Sequence, residues 1–282
     1  MIDSSNISFV ITSFKSEENI YNCINSIPEK YEKIIIENSN DAELKKKLES
    51  KYQNLSCYLM KENLGYGKGN NIGINYSKKK FIFIVNPDIV FPKGSLEKIF
   101  EILKNQEFSI AGLMENNNSK ENTLFKNKGW DSKEVDFVRG YAMILNREKM
   151  FNILFDENIF LYLEEVDLCK NIKNKNGKIK LLNIFVNHLG GKSHGNKFDL
   201  EMEKSRNWHW MWSLFYYNKK HKGYFYSLII TFPKFLTSII KFILCSFFNK
   251  YQKREIYKMR ALGLLNSYFL KKSFYRPFNH NE

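Results

Sequence analysis

Four cysteines, Cys23, Cys57, Cys169 and Cys245, are scattered through 282 residues without a C-x-x-C pair. That excludes a disulfide framework and a thiolate zinc site, and it suits a reducing compartment. Five prolines and a hydrophobic content of 43% exclude a disordered chain and leave room for one large domain with a tail. Met1 to Asn6 are polar and lead into a short apolar run, without the basic start and long apolar stretch of a signal peptide. Export is therefore not expected. Acidic residues are scarce only at the end: from Glu201 onward fifteen Lys and Arg stand against four acids, so +11 of the formal +14 lies in the last 82 residues. A basic segment interleaved with aromatic and aliphatic residues suits an anionic lipid surface, and nucleic acid is not the expected partner.

The first 115 residues alternate short β-branched runs with segments of helical period, the pattern of a parallel sheet wrapped by helices. Strands are expected at Ile7–Thr12, Lys33–Glu37, Ser56–Lys61, Phe81–Val85 and Ser109–Met114. Helices are expected near Glu17–Ser26, Asp41–Gln53, Gly67–Ser77 and Ser95–Lys104. A polar stretch from Glu115 to Asp131 reads as a loop crossing the active face. A second half follows, with strands near Asp136 to Asn146, an acidic helix from about Glu164, a turn at Asn176-Gly177 and a strand leading to His188. The boundaries that result are 1–198 for the α/β domain, divided at 115/116 into a nucleotide-binding and an acceptor half, and 199–282 for a helical tail.

In an open parallel sheet ligands gather beyond the carboxyl ends of the strands, and those ends are polar here: Thr12-Ser13-Phe14, Glu37-Asn38-Ser39 and Asn86-Pro87-Asp88. Asn63 to Asn71 is glycine-rich and contains Lys68, so its backbone can approach a ligand at a helix N-terminus. It matches neither a dinucleotide fingerprint nor a P-loop, and a plain capping turn explains it equally well. Asp88 behind an apolar strand suits Mg²⁺ or Mn²⁺ on a diphosphate, although Asn-Pro-Asp is also a common turn. Glu164, Glu165 and Asp167 open a helix, where acids are favoured anyway. Beside Phe160 and Tyr162, however, a carboxylate loses water and gains basicity. His188 heads a loop of small residues from which an imidazole can reach a metal or a phosphate.

Taken in order, Val10 to Phe14, Ile36 to Ser39, Asn63 to Asn71, Asn86-Pro87-Asp88, Phe155 to Leu168 and His188 to Gly191 resemble the family 2 glycosyltransferases with a GT-A fold, in particular their rhamnosyltransferase-like branch. The resemblance covers roughly residues 7 to 195. It implies a mostly parallel, Rossmann-like α/β sheet flanked by helices, and an inverting transferase using a UDP- or dTDP-sugar. By it, Thr12, Phe14, Glu37, Asn38, Gly65, Lys68, Asn71 and Asn86 hold the nucleotide sugar, with Glu37 facing the base. Glu37 stands where the family usually has Asp, and Lys15 where Asn is common. Asp88 and His188 hold a divalent metal, Mn²⁺ or Mg²⁺. Glu165 is the base that deprotonates a hydroxyl of a glycan or lipid-linked acceptor, and Glu164 and Asp167 orient it or the acceptor.

Tyr224 to Phe248 holds 17 apolar residues out of 25. Pro233 interrupts the run, and in the helix after it Lys234, Ser238, Lys241 and Cys245 share one side while Phe235, Leu236, Ile239, Ile240, Ile243 and Phe247 cover the other. This predicts a helix in the membrane plane rather than across it, on a cytoplasmic protein held at the inner face of the membrane. A buried helical subdomain is the alternative. Trp208, Trp210 and Trp212 fit either an acceptor site or a lipid boundary. Two other functions compete: a nucleotidyltransferase, which would need a basic glycine loop after the first strand, and a membrane-bound nucleotide-sugar-binding scaffold without catalysis.

Overall fold

A computed structural model describes residues 4–104, 107–116, 129–189 and 199–277. The chain divides into two compact units, one formed by Met1–Asp156 with Glu165–Gly195 and the other by Glu157–Glu164 with Asn196–Glu282. The first unit contains β1 (Ile7–Ser13), α1 (Glu17–Asn25), β2 (Glu32–Glu37), α2 (Ala42–Lys51), β3 (Leu55–Leu59), α3 (Tyr66–Tyr76), β4 (Phe81–Val85), β5 (Ile89–Val90), α4 (Ser95–Lys104), β6 (Ile110–Glu115), β7 (Ser132–Glu134), β8 (Ala142–Asn146) and β9 (Ile179–His188). α5 (Glu164–Lys173) belongs to it from Glu165 onward.

The strands lie in the order β3-β2-β1-β4-β8-β6-β9-β5, with β7 beside β9. β3, β2, β1 and β4 are parallel, which collects their carboxyl ends on one edge. β8 runs antiparallel to β4 and β6. Both faces are covered: Ile7, Phe9 and Ile11 enter one apolar cluster and Val10 the other, as the two-residue period of a strand requires. Local signals set the helices against this sheet. Asp41 caps α2 by accepting from Leu44 N at 2.9 Å. Arg147 closes the end of α3 by donating to the carbonyls of Ile74, Ser77 and Lys79.

Nearly all the expected elements form. Of the strands expected near Asp136 to Asn146, β7 lies earlier, at Ser132–Glu134, and β8 begins at Ala142. Before it the backbone follows another path, and the Gly140 carbonyl accepts from the Tyr66 hydroxyl instead of a neighbouring strand. Residues 117–128, the heart of the loop expected over the active face, lie outside the described residues, as do 190–198.

The second unit is built on α6 (Asp199–Lys222), α7 (Tyr224–Phe247) and α8 (Tyr251–Tyr268). Trp208 and Trp212 are buried against Met259, and Met211 and Phe215 against Leu264. These two tryptophans are core; Trp210 is half-exposed against the Tyr162 ring. The boundary expected at residue 198 needs a correction, because Glu157–Glu164 belongs here. Phe160 stacks on His209 at 4.4 Å, and Ser213 Oγ donates to the Leu161 carbonyl at 2.8 Å.

α7 runs unbroken through Pro233, where an interruption was expected. It is turned so that Ser227, Thr231, Ser238 and Cys245 are buried while Phe225, Ile229, Ile240, Ile243 and Phe247 are exposed. Lys234 and Lys241 are exposed too, so only the small residues of the expected polar side turn inward. Ser227, Thr231 and Ser238 bond back to carbonyls four residues earlier, so inward-facing hydroxyls need no other partner. Close packing of α6 on α8 depends on Gly263, where a Cβ would lie 2.3 Å from the Trp208 carbonyl oxygen. Gly263→Ala is expected to destabilise this unit by roughly 1–3 kcal/mol, as overpacking does. Denaturation followed by tryptophan fluorescence checks it; an unchanged midpoint would refute the tight contact.

Candidate active site

The carboxyl edge of β1 and β2 concentrates buried polar atoms. Ser13 pairs with Glu37 across the ladder, and both are fully buried. One Glu37 carboxylate oxygen accepts from Ser39 N, whereas Oε2 accepts no hydrogen bond from the described residues. Burial pushes the Glu37 carboxyl upward, and the Ser39 hydrogen bonds oppose that rise. Asn38 Oδ1 and Asn70 Nδ2 are likewise buried without partners. Each such atom costs about 1–3 kcal/mol when left dry, so their grouping at one strand edge marks where a ligand's polar edge completes the set.

The remaining groups form the wall. Thr12 Oγ1 donates to Asn70 Oδ1 at 2.9 Å, and Asn38 Nδ2 donates to the Gly65 carbonyl at 3.3 Å. Gly65, with φ of 82°, opens α3, and Lys68 stands half-buried in its first turn. Phe14, also half-buried, lies on the turn after β1 that Ser16 Oγ closes by donating to its carbonyl at 3.0 Å. Asn86 continues β4, its N–H donating to the Tyr141 carbonyl at 2.9 Å. The Asn71 amide donates to the Phe155 carbonyl and accepts from the Phe155 N–H at 2.9 and 3.0 Å, a clamp that uses both halves of the side chain.

A second cluster forms where β5 meets β9, with Ile89 opposite His188. Asp88 is 2% exposed; its Oδ2 lies 3.1 Å from His188 Nε2, and its buried Oδ1 accepts no hydrogen bond from the described residues. His188 Nδ1 lies 3.2 Å from Glu115 Oε1, and the Tyr141 ring packs on the imidazole at 5.4 Å. The hydrogen bond to Asp88 and the charge of Glu115 together push the histidine upward, against the pull of burial. Glu115 and Tyr141 escaped sequence reasoning. The signal for Glu115 was its place at the end of a strand, and its meeting with His188 requires the pairing of β6 with β9.

The donor set fits a divalent cation. A buried carboxylate oxygen lacks a partner beside an imidazole nitrogen, an oxygen and nitrogen pair acceptable to Mn²⁺ or Mg²⁺. Among the described residues no group of three His, Cys, Asp or Glu side chains is placed to hold an ion. Two protein ligands leave coordination positions open for phosphate oxygens, as these hard cations commonly require. Glu115 on the far nitrogen of His188 would then orient the ring.

The third group surrounds Glu165. Tyr162 and Leu163 adopt φ of 71° and 69° immediately before α5, a conformation costly for side chains of this size. Glu164 is buried at the helix start, and Asp167 is buried and accepts from Asn171 Nδ2 at 2.9 Å. Burial pushes the Glu165 carboxyl upward; hydrogen bonds from its own N–H and that of Val166 and the charge of Arg139 oppose it. A Cβ on Gly140 would lie 3.4 Å from the Tyr66 hydroxyl and 3.6 Å from Glu165 Cβ, so the start of α3 and Glu165 share one locality. Arg139 and Tyr66 were not anticipated. Gly140 and Tyr141 are successive, so the Glu165 group and the Asp88–His188 group are tied by one peptide.

The model of glycosyl transferase family 2 matches residues 8–161. Over 193 residues the chain is 26% identical to the low-salt glycan biosynthesis hexosyltransferase Agl10 of Haloferax volcanii, covering 60% of this chain and 62% of that protein. The chain thus matches a little under two thirds of that relative's length. Of solved structures, the mannosyltransferase PcManGT from Pyrobaculum calidifontis in complex with GDP-Man and Mn²⁺ is similar with a TM-score of 0.59 at 10% identity, over 95% of this chain and 88% of that one. S. aureus TarS 1-349 in complex with UDP-GlcNAc follows at 0.54 and 13% identity, over 96% and 93%. At these identities the structures show a shared GT-A fold.

In metal-free protein His188 is expected to titrate above an ordinary histidine, and Asp88→Asn to bring it down. Its charged form stabilises the fold fully below the unfolded value, and that contribution is lost as pH rises through the raised folded value. Proton NMR of the imidazole checks the shift; identical titration in both proteins would refute the pairing.

Proposed function

The chain belongs to glycosyl transferase family 2, and from that premise we propose that it is an inverting, metal-dependent hexosyltransferase. In this reading it moves a sugar, with rhamnose the foremost candidate, from a UDP- or dTDP-sugar to a glycan or lipid-linked acceptor in cell-surface polysaccharide synthesis. The carrying observation is the Asp88–His188 pair with its open, buried oxygen on the same sheet edge as Glu37. The names of the relatives support the same class: one is a glycan biosynthesis hexosyltransferase, and one was solved with a nucleotide sugar and Mn²⁺.

In this mechanism Glu37 Oε2 accepts the N3–H of a pyrimidine base, while Thr12, Phe14, Asn38 and Asn86 line the nucleoside. Gly65 lets the diphosphate approach the N-terminus of α3, and Lys68 adds a cation there. Asp88 and His188 hold the metal, which when bound neutralises charge developing on the departing diphosphate. Glu165 takes the proton from the acceptor hydroxyl, whose oxygen forms the new bond to the anomeric carbon as the bond to the diphosphate breaks on the opposite face. One displacement inverts the configuration. Burial raises the Glu165 carboxyl and so strengthens it as a base, while the hydrogen bond from its own N–H and the charge of Arg139 oppose that rise. Glu164 and Asp167 orient the acceptor or the base.

The tail places the enzyme at the inner face of the cell membrane in this reading. α7 is the one helix among the described residues long and apolar enough to cross a bilayer, and its outward face is apolar. Lys250, Lys253, Arg254 and Lys258 follow, each contributing roughly 1 kcal/mol near an anionic leaflet. An interfacial position satisfies both features.

Calorimetric titration with UDP and dTDP, with and without Mn²⁺, is expected to show metal-dependent binding that Asp88→Ala and His188→Ala weaken at least about tenfold, the loss of one good interaction. Glu165→Gln is expected to keep that binding and lose transfer by about a hundredfold or more. Equal binding loss in all three variants would overturn the roles. Because the Glu165 carboxyl is raised, the acid limb of the kcat profile is expected above the ordinary carboxylate range, activity falling as pH drops through it. Ile229→Ser, Ile240→Ser and Phe247→Ser together are expected to abolish flotation with anionic vesicles; undiminished flotation would sink the interfacial placement.

A further inference from the structure

The second unit holds a cleft between α6 and the residues that follow α8, with a volume of about 100 Å³, several times what one water needs. One wall is aromatic. Trp212 and Tyr216 stack at 4.9 Å, and Phe215 adjoins them. The other side carries Lys219, Lys271 and Lys272. None of these three ammonium groups meets a carboxylate among the described residues; Lys219 only passes over the Tyr216 ring at 5.5 Å. Three unpaired cations around one hollow repel each other, and an anion with several oxygens relieves that repulsion.

The cleft is held in shape by groups other than the lysine heads. Trp212 Nε1 donates to the Lys271 carbonyl at 3.0 Å, and Leu270 turns the chain with φ of 56°. His209 bonds to the Tyr275 carbonyl at 2.8 Å and lies 3.0 Å from Ser273 Oγ. The backbone of 271–275 is thus fixed while the ammonium groups of Lys271 and Lys272 remain in solvent. Preorganised cations of this kind bind phosphate without first ordering a loop. Phe215 of the lining also packs on the apolar helix: it meets Tyr224, the first residue of α7, edge to face at 5.4 Å, in a cluster with Leu228 and Phe235.

We propose that this cleft binds the phosphate head of a lipid-linked sugar acceptor, with the lysines on the phosphate, Trp212 and Tyr216 beside the attached sugar, and the hydrocarbon leaving along α7. The proposal rests on the transferase reading and names its acceptor class. A nucleotide donor would instead occupy the sheet edge of the first unit, so the two sites are separable.

The test uses the full chain in EDTA, which removes metal-assisted diphosphate binding at the Asp88–His188 site. Farnesyl diphosphate, farnesol and inorganic pyrophosphate are titrated in turn while tryptophan fluorescence is followed. Farnesyl diphosphate is expected to bind at least tenfold more tightly than either of the others, and Lys219→Ala with Lys271→Ala and Lys272→Ala to weaken it at least tenfold. Pyrophosphate binding as tightly would show a free-phosphate site, farnesol binding as tightly an apolar groove, and displacement by single-stranded RNA a nucleic-acid surface; each overturns the proposal. Mn²⁺-dependent UDP or dTDP binding, measured on the same variants, is expected to be unchanged. Its absence from the unsubstituted protein would defeat the transferase reading, whereas its retention with no farnesyl diphosphate binding defeats only the acceptor cleft.

Discussion

The pairing of β5 with β9 is the constraint on which the site depends. It places His188 opposite Ile89 and so brings the imidazole to Asp88, 100 positions earlier in the chain. Closing a loop of that length costs about 4 kcal/mol in chain entropy, more than one hydrogen bond near 1 kcal/mol returns. The closure must therefore be carried by the sheet, through the ten-residue β9 and its neighbours β6 and β7. Buried carboxylate and imidazole are then passengers of a structure stable without them. The sheet therefore holds the Asp88 carboxylate in its buried position against the cost of desolvation.

A similar separation between scaffold and chemistry operates at Glu165. Two consecutive left-handed residues, each costing of order 1–3 kcal/mol, precede it. Tyr162 is buried enough that its hydroxyl is pushed up to about 12, and its ring meets Trp210. Leu161 gives its carbonyl to Ser213, and Phe160 lies between His209 and the Arg276 guanidinium, 3.9 Å from the latter. His209 in this stack is held neutral, its value lowered to about 3 by burial, so no charge disturbs the ring contact. Contacts within the second unit therefore fix the strained segment that ends at Glu164.

The sheet edge was readable from sequence because its signals are local. Apolar runs ending in Thr12, Glu37 and Asp88 mark strand ends wherever the strands lie, and parallel order then gathers them. Asp88 with His188 was named through a resemblance, and geometry now joins them. What sequence did not show was non-local. Glu115 looked like the first residue of a polar loop, and only the β6–β9 register makes it a partner of His188. Tyr66 and Gly140 are ordinary residues until a hydroxyl and a carbonyl 74 positions apart meet. Asn71 is non-local in the same way: a polar residue in a glycine loop does not announce the Phe155 backbone, 84 positions on, to which its amide bonds.

α7 shows how a helix can be amphipathic with its sides exchanged. Its buried side is Ser227, Thr231, Ser238 and Cys245, and α8 presents Ala261, Gly263, Leu264 and Ser267 among its buried residues. Gly263 serves the approach of α6, whereas α7 meets α8 through Leu228 and Phe235 beside Leu264 and Tyr268, with Thr231 Oγ1 3.2 Å from the Tyr268 hydroxyl. Phe225, Ile229 and Phe247, exposed by 79, 73 and 82%, contribute almost nothing to folding of the unit. Burying one such side chain is worth about 1.5–3 kcal/mol, so the row represents a large driving force that folding of the unit leaves unused. Side chains of this kind arranged along one face of a 24-residue helix are most stable against a medium as apolar as themselves. The inward serines make that arrangement possible, because they leave Phe225, Ile229, Ile240, Ile243 and Phe247 free to face the other way.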